Sequence, residues 1–329
     1  MPIDFGIYPG GLSIAVDGPA EDPQRIGAAL DDLHGDRPFL VRGYLHYSDA
    51  APGSPQAPPE PERYATGRRR LDLVLCFREP GEDLTGWLGF VRERIRRHAP
   101  VLAKVQIAEE PDNAGPGGDG EFPAVRRALI EGVLAARDEV ARLGADVLVG
   151  CNSTLAFDPG QAYWTGLAEA GGDEFRDALD YVGLDFFPDV FRPVPAESFA
   201  ETVAGVLRHF RRESLGAGGI PGDVPMHVTE HGWPTGAGRS PARQAEVLET
   251  VVRIVDAAAE ELNIDTYEHF DLRDADSDVD DPMFQFGLMT SDYRPKPAFE
   301  TYRRLITELG RESTADRRAG RASSEAERR

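Results

Sequence analysis

Apolar residues gather in short runs at regular intervals along the chain, and longer stretches with helical spacing lie between them. Runs of this kind, bounded by Gly, Pro, Asn and Asp, predict strands at 3–8, 38–46, 71–77, 102–109, 145–152, 180–187, 225–230 and 266–271. Helical periodicity is clearest over 123–143, where Val125, Leu129, Val133, Ala136, Val140 and Leu143 fall on one stripe and Gly144 supplies the stop. A second helix over 241–262 opens with Ser240 as N-cap and Pro241 at the first helical position. Further helices are predicted at 84–98, ending before Pro100, at 197–214 and at 296–309. Eight strand-then-helix units predict an α/β fold, a single-domain (β/α)8 TIM barrel, with an open doubly wound sheet as the alternative. Gly115-Pro-Gly-Gly-Asp-Gly120 follows a strand without the G-x-G-x-x-G spacing of a dinucleotide-binding turn, so it is expected to be a mobile βα loop.

Two stretches fall outside this rhythm. The proline-rich segment 50–61 is expected to loop over the mouth of the barrel, and 311–329, charged and without apolar periodicity, is expected to be a disordered tail. The domain is therefore 1–310. A chain of 329 residues accommodates a barrel of about 250 residues with insertions. Its net charge of −21 argues against a nucleic-acid or anionic-membrane partner. Neither a basic-then-apolar leader nor a run of about 18 apolar residues is visible, so a cytoplasmic location is expected, and the Asn152-Ser-Thr154 sequon carries no weight. Cys76 and Cys151 each fall in a predicted strand and are expected to be buried free thiols. Oligomeric state is not legible.

The candidate chemistry lies at two strand tips. Glu110 closes Leu102-Ala-Lys-Val-Gln-Ile-Ala-Glu-Glu-Pro111, and Glu230 lies near the end of Pro225-Met-His-Val-Thr-Glu-His-Gly-Trp-Pro234. In a (β/α)8 barrel, catalytic groups sit at such C-terminal tips. Two carboxylates facing one pocket are the minimum apparatus for cleaving a glycosidic bond. Strict alternation would put Gln106, Ala108 and Glu110 on one face of the fourth strand, and Met226, Val228 and Glu230 on one face of the seventh.

These motifs carry a family resemblance. Ile107-Ala-Glu-Glu-Pro111 resembles the Asn-Glu-Pro acid/base motif of clan A glycoside hydrolases, and Val228-Thr-Glu-His-Gly-Trp-Pro234 resembles their nucleophile motif. Tyr181-Val-Gly-Leu-Asp-Phe-Phe-Pro188 is similar to their sixth strand, and Phe270-Asp-Leu-Arg-Asp274 with Phe286-Gly-Leu288 and Arg294-Pro-Lys-Pro297 to their eighth strand and closing helix. The resemblance spans 3–309. It implies a retaining double displacement on a carbohydrate or glycoside, with Glu230 as nucleophile, Glu110 as acid/base, Arg42 steadying Glu230, and no metal or organic cofactor. The chain departs from the pattern in three places. Glu109 stands where the clan has Asn, Phe187 (with Phe186) replaces a tyrosine that donates to the nucleophile, and Asp271-Leu272 stands where a tryptophan platform is usual. Glu109 either raises the pKa of a neighbouring carboxyl and favours a cationic sugar, or points outward to the barrel wall.

Trp233 is the aromatic expected to stack on sugar, and Phe187, His231, His269 and Asp271 are further candidate substrate contacts; Tyr8, Tyr44, Tyr47, Trp164 and Phe191 are weaker candidates. His227 and Glu230 are expected on opposite faces, so they would not chelate a metal together. The acidic run from Asp274 to Asp281 lacks the glycine and bidentate Glu of a calcium loop and is expected to be solvated. Two rivals remain: a barrel enzyme using the same carboxylates for proton transfer, and a non-catalytic carbohydrate-binding barrel.

Overall fold

The computed structural model describes residues 2–13, 16–49 and 55–312. Part of the predicted 50–61 loop and nearly all of the predicted tail thus lie outside the described residues. Eight parallel strands follow one another around a barrel: β1 (Asp4–Ile7), β2 (Phe39–Tyr47), β3 (Arg69–Phe77), β4 (Leu102–Ile107), β5 (Leu148–Ser153), β6 (Tyr181–Asp185), β7 (Met226–His231) and β8 (Ile264–His269). Phe5 of β1 is in register with Phe39 of β2 on one side and Tyr267 of β8 on the other, which closes the sheet. Each strand lies within two or three residues of its predicted span.

Seven helices surround the barrel among the described residues: α1 (Pro23–His34), α2 (Thr85–His98), α3 (Val125–Leu143), α4 (Ala162–Asp177), α5 (Phe199–His209), α6 (Pro241–Leu262) and α7 (Pro297–Leu309). Their ends follow from local chemistry. Asp22 accepts from the backbone N–H groups of Gln24 and Arg25, and Ser240 from that of Arg243, each before a proline that gives up no needed donor. Gly144 (φ 59°) and Asn263 (φ 51°) close α3 and α6 in the left-handed conformation. The predicted 197–214 helix widens into a π segment over Phe210–Ser214 and runs on to Ala217. The expectation of eight full units needs one correction. After β2 the chain makes a two-residue antiparallel strand, Gln56–Ala57, and a 3-10 turn, Pro61–Tyr64, in place of an α-helix. Prolines 55, 58, 59 and 61 deny that stretch the N–H groups a helix needs.

The apolar core lies between strands and helices. Val105, Ile107, Val149, Cys151, Val182, Leu184, Met226 and Val228 all point outward into it and are fully buried. Burying such a side chain contributes about 1.5–3 kcal/mol. The lumen, in contrast, is polar. Lys104 of β4 reaches Glu268 of β8 and lies 3.4 Å from Asp72 of β3, and Arg42 of β2 bonds Asp72 and lies 3.5 Å from Glu230 of β7. The Lys104–Glu268 and Arg42–Glu230 contacts join strands far apart in the order, so they run across the barrel axis. Glycine makes room for this filling, since a Cβ on Gly150 would stand 2.6 Å from the Tyr181 ring. Cys76 and Cys151 are free and buried, and no helix among the described residues is long and apolar enough to cross a membrane.

Candidate active site

Glu230 reaches the lumen through a fault in its strand. Met226 and Val228 point outward, so strict alternation would send Glu230 outward with them. The register with both neighbours slips instead: Leu184 and Asp185 of β6 face Val228 and Glu230, and Tyr267 and His269 of β8 face Val228 and His231. In each case β7 carries one extra residue, which is a β-bulge. Thr229 and Glu230 consequently both turn inward, and the Glu230 carboxyl stands at the top of the lumen, 8% exposed. Its Oε1 accepts a short hydrogen bond from the Tyr44 hydroxyl and lies 3.5 Å from Arg42 Nε. Tyr44, two residues beyond Arg42 on the same face of β2, thus stands where the resemblance leads one to look for a tyrosine on the sixth strand.

The end of β4 is equally irregular. The strand stops at Ile107, and Ala108 (φ 63°) and Glu110 (φ 39°) adopt left-handed backbone that non-glycine residues hold at a cost of about 1–3 kcal/mol each. Ala108 takes the chain out of the pleat. Glu109 therefore points into the lumen, not to the outer wall, and its Oε2 accepts from Gln106 Nε2 at 2.6 Å, with Arg42 Nη2 and Asn152 Nδ2 each at 3.4 Å. Glu110, next along the chain, has its backbone N–H bonded to Asn152 Oδ1 (2.9 Å) and its carboxyl Oε2 bonded to Asn113 Nδ2 (2.6 Å). The glycine-rich segment forms the expected loop between β4 and α3, and Asp119 anchors it. Asp119, fully buried, accepts from the N–H groups of Phe77 (2.7 Å) and Glu109 (2.8 Å) and pairs with Arg78 at 2.7 Å.

A third acidic group, Asp185 at the tip of β6, completes the cluster. It accepts from Thr229 Oγ1 (2.7 Å) and from Asn152 Nδ2. Oxygens of Glu109, Glu110 and Asp185 lie within 4.8 Å of one another, a spacing that a cation would tolerate. Asp185 already accepts at both oxygens and Glu109 and Glu110 at one each, so the cluster is also coherent as a proton-sharing set.

One guanidinium, Arg42, lies within ion-pair reach of Glu109 and Glu230 and acts through space on Asp185, and the charge balance follows. Burial, then Asp185 and Glu230, push the Glu109 carboxyl well above the usual range, and burial with Glu230 and Glu110 does the same to Asp185. Burial and then the Glu230 charge push Glu110 up to about 7, against the Asn113 hydrogen bond. Burial raises Glu230 too, but Arg42 and the Tyr44 hydroxyl oppose it most strongly, so Glu230 is the member best able to carry the negative charge.

Other predicted contacts fall elsewhere. His231 and His269 do not face the pocket. His231 Nδ1 meets the Tyr267 hydroxyl at 2.5 Å, and His269 packs on Tyr302, so both lie on the helix side of the wall. Trp233 is 4% exposed, with Arg239 over its ring and its Nε1 donating to Asp189, so it offers no open platform. His227 points inward beside Lys104 and Tyr181, on the same side as Glu230 but deeper, because of the bulge. Asp271 is buried under the influence of Asp274 and Lys296, and its Oδ1 has no partner among the described residues. Asp274 itself is buried and paired with Lys296 at 2.6 Å, so the expected solvated run begins only beyond it.

Aromatic rings do line the top. Phe270, one residue before the predicted platform position, stacks on Tyr8 at 5.5 Å, and Tyr8 meets Tyr44 edge-on. Phe187 contacts Phe270, Phe286 and the 66% exposed Phe191. Tyr47 and Trp164 are core residues. Tyr44, Asp185, Asn152, Asn113 and Asp119 were not predicted in these roles; the one local signal was the i, i+2 spacing of Arg42 and Tyr44.

No protein-family model and no curated protein sequence matches the chain. Solved structures do. A family 39 glycoside hydrolase from the gut symbiont Bacteroides cellulosilyticus WH2 is similar over 94% of this chain and 64% of its own, at 18% identity and a TM-score of 0.62. A Rhizomucor miehei β-1,3-glucanosyltransferase, an active-site mutant in complex with laminaritriose, is similar over 90% and 96%, at 16% identity and 0.58. A Ruminococcus gnavus β-glucuronidase in complex with D-glucuronic acid is similar over 93% and 49%, at 16% identity and 0.59. The chain therefore spans under two thirds of the first and about half of the third. At such identities the likeness shows a shared (β/α)8 barrel.

Proposed function

We propose that the protein is a glycoside hydrolase or transglycosylase that cleaves an O-glycosidic bond by a retaining double displacement. The observation that carries this is the contrast between two neighbouring glutamates in one pocket. Burial raises both, but Arg42 and Tyr44 oppose it at Glu230 and favour its ionised form, while burial and the Glu230 charge push Glu110 up to about 7, so that a substantial share of it still carries its proton near neutral pH. Carboxyls with separated affinities for the proton are the signature of an acid working beside a nucleophile. Glu230 attacks the anomeric carbon as Glu110 hands its proton to the leaving oxygen. Glu110, now ionised, then takes a proton from water, which displaces Glu230 and regenerates both groups. Tyr44 and Arg42 hold Glu230 Oε1 in place, leaving Oε2 for the attack. The barrel neighbours are themselves named as a glycoside hydrolase, a glucanosyltransferase and a glucuronidase, which supports the same class here.

Labelling tests this. A panel of 2-fluoroglycosides and cyclitol epoxides should inactivate the protein, with the adduct mapping to the Glu230 peptide. An adduct on another carboxyl, or none from any sugar, would sink the assignment and favour proton-transfer chemistry or simple sugar binding.

Glu109 takes a defined part in this scheme. Protonated, it is a neutral donor, as the Asn it replaces in the resemblance would be. Glu109→Gln should keep kcat/KM within about tenfold of wild type, whereas Glu109→Ala should lose about a hundredfold, the cost of one donor aimed at the reacting sugar. Equal loss in both variants would mean that Glu109 acts as an anion.

A further inference from the structure

The glycine-rich segment after β4 closes around one side chain. Asn113 donates its backbone N–H to Glu110 O (2.8 Å), and its own carbonyl accepts from Gly120 N (2.9 Å). A Cβ on Gly118 would stand 2.2 Å from Asn113 O, and one on Gly120 would stand 2.6 Å from Asn113 C, so the loop approaches this closely only because both residues are glycine. The Asn113 side chain is fixed from the other end. Its Oδ1 accepts from Gly115 N at 2.8 Å. That bond decides which way the amide points, and leaves Nδ2 to donate to Glu110 Oε2 at 2.6 Å. Asp119, one residue before Gly120, anchors the far side of the loop to Phe77, Glu109 and Arg78. The loop thus holds an oriented amide against one oxygen of Glu110.

We infer that Asn113 is a positioning residue for the acid/base step: it clamps Oε2 of Glu110, so that the acid proton is carried on Oε1, and it sets the pH at which that proton is lost. This rests on Glu110 being the acid/base. The reasoning is chemical. Nδ2 has only protons to offer, so it bonds the oxygen that stays unprotonated, and it favours the ionised carboxylate over the acid. Removing it frees the carboxyl to rotate and takes away one cause that holds its pKa down.

Asn113→Ala and Asn113→Asp test this, assayed with dinitrophenyl and phenyl glycosides of a sugar that the wild type turns over. The dinitrophenyl leaving group departs without protonation and the phenyl group needs it. Asn113→Ala should keep kcat/KM on the dinitrophenyl substrate within about threefold and lose about 10–100-fold on the phenyl one. Its basic limb on the phenyl substrate should move up by about one pH unit, the value of one charge-assisted hydrogen bond. Asn113→Asp retains the acceptor for Gly115 N and so preserves the loop, but sets a second carboxylate against Glu110. Its limb should move further in the same direction. Equal losses on both substrates, with the limb unmoved in both variants, would overturn the inference and leave Asn113 a loop support only. Glu110→Ala run alongside separates the two levels: if it too shows no leaving-group dependence, the acid/base assignment of Glu110 falls as well.

Discussion

Glu230→Gln should lose turnover by about 10⁴-fold or more, the scale seen when a covalent nucleophile is removed. The substitution keeps the side chain's shape, and its amide oxygen still accepts from the Tyr44 hydroxyl. It removes the charge that Arg42 faces, and with it the anionic nucleophile of the proposed mechanism. Arg42 retains Asp72, at 2.5 Å, and Gln106, at 3.0 Å, so the barrel should melt close to the wild-type temperature. The measurement is kcat on a dinitrophenyl glycoside alongside a thermal melt. Activity within tenfold of wild type in a folded variant would place the nucleophile elsewhere.

Glu110→Ala should produce a different defect, about 10²–10⁴-fold and dependent on the leaving group. With a dinitrophenyl glycoside the first displacement needs no acid, so the glycosyl-enzyme should accumulate and then wait for a water that no base activates. Azide, which needs no base, should restore turnover and release a glycosyl azide with the configuration of the substrate. The pH profile gives a second readout. In the proposed mechanism Glu110 works in its protonated form, and its carboxyl is pushed up to about 7, so wild-type kcat/KM should fall as pH rises through that value. In Glu110→Ala that basic limb should vanish. A limb that persists belongs to another group.

Much of the fold was legible because its signals are local. The eight apolar runs mark strands whose outer faces meet helices, and Ser240 with Pro241, or Gly144, fix helix ends through neighbours within one turn. The loop that stands in place of a second helix was legible too, from the prolines of 50–61. The site was legible only as far as its two strand tips. Periodicity assumes an unbroken pleat, and the pleat breaks at Ala108 and at the Thr229–Glu230 bulge, where the carboxylates are aimed. His231 was misplaced for the same reason, since the extra residue that turns Glu230 inward leaves its neighbour against Tyr267. Tyr44, Asn152 and Asp185 come from strands far apart in the chain. Their partnership depends on barrel closure, which no local pattern encodes.

Arg42 is common property: Tyr44, Asp72, Gln106 and Glu109 accept from its nitrogens, and Glu230 lies within ion-pair reach. Below it, Asp72 also belongs to Lys104, and Lys104 to Glu268 on the far wall. Protonation of any one of the carboxyls among them, Asp72, Glu109, Glu230 or Glu268, removes a charge that Arg42 or Lys104 faces. The acidity of the site is thus a property of the lumen as a whole, and shifting its working range would mean recomposing the stack instead of exchanging a single residue at the mouth.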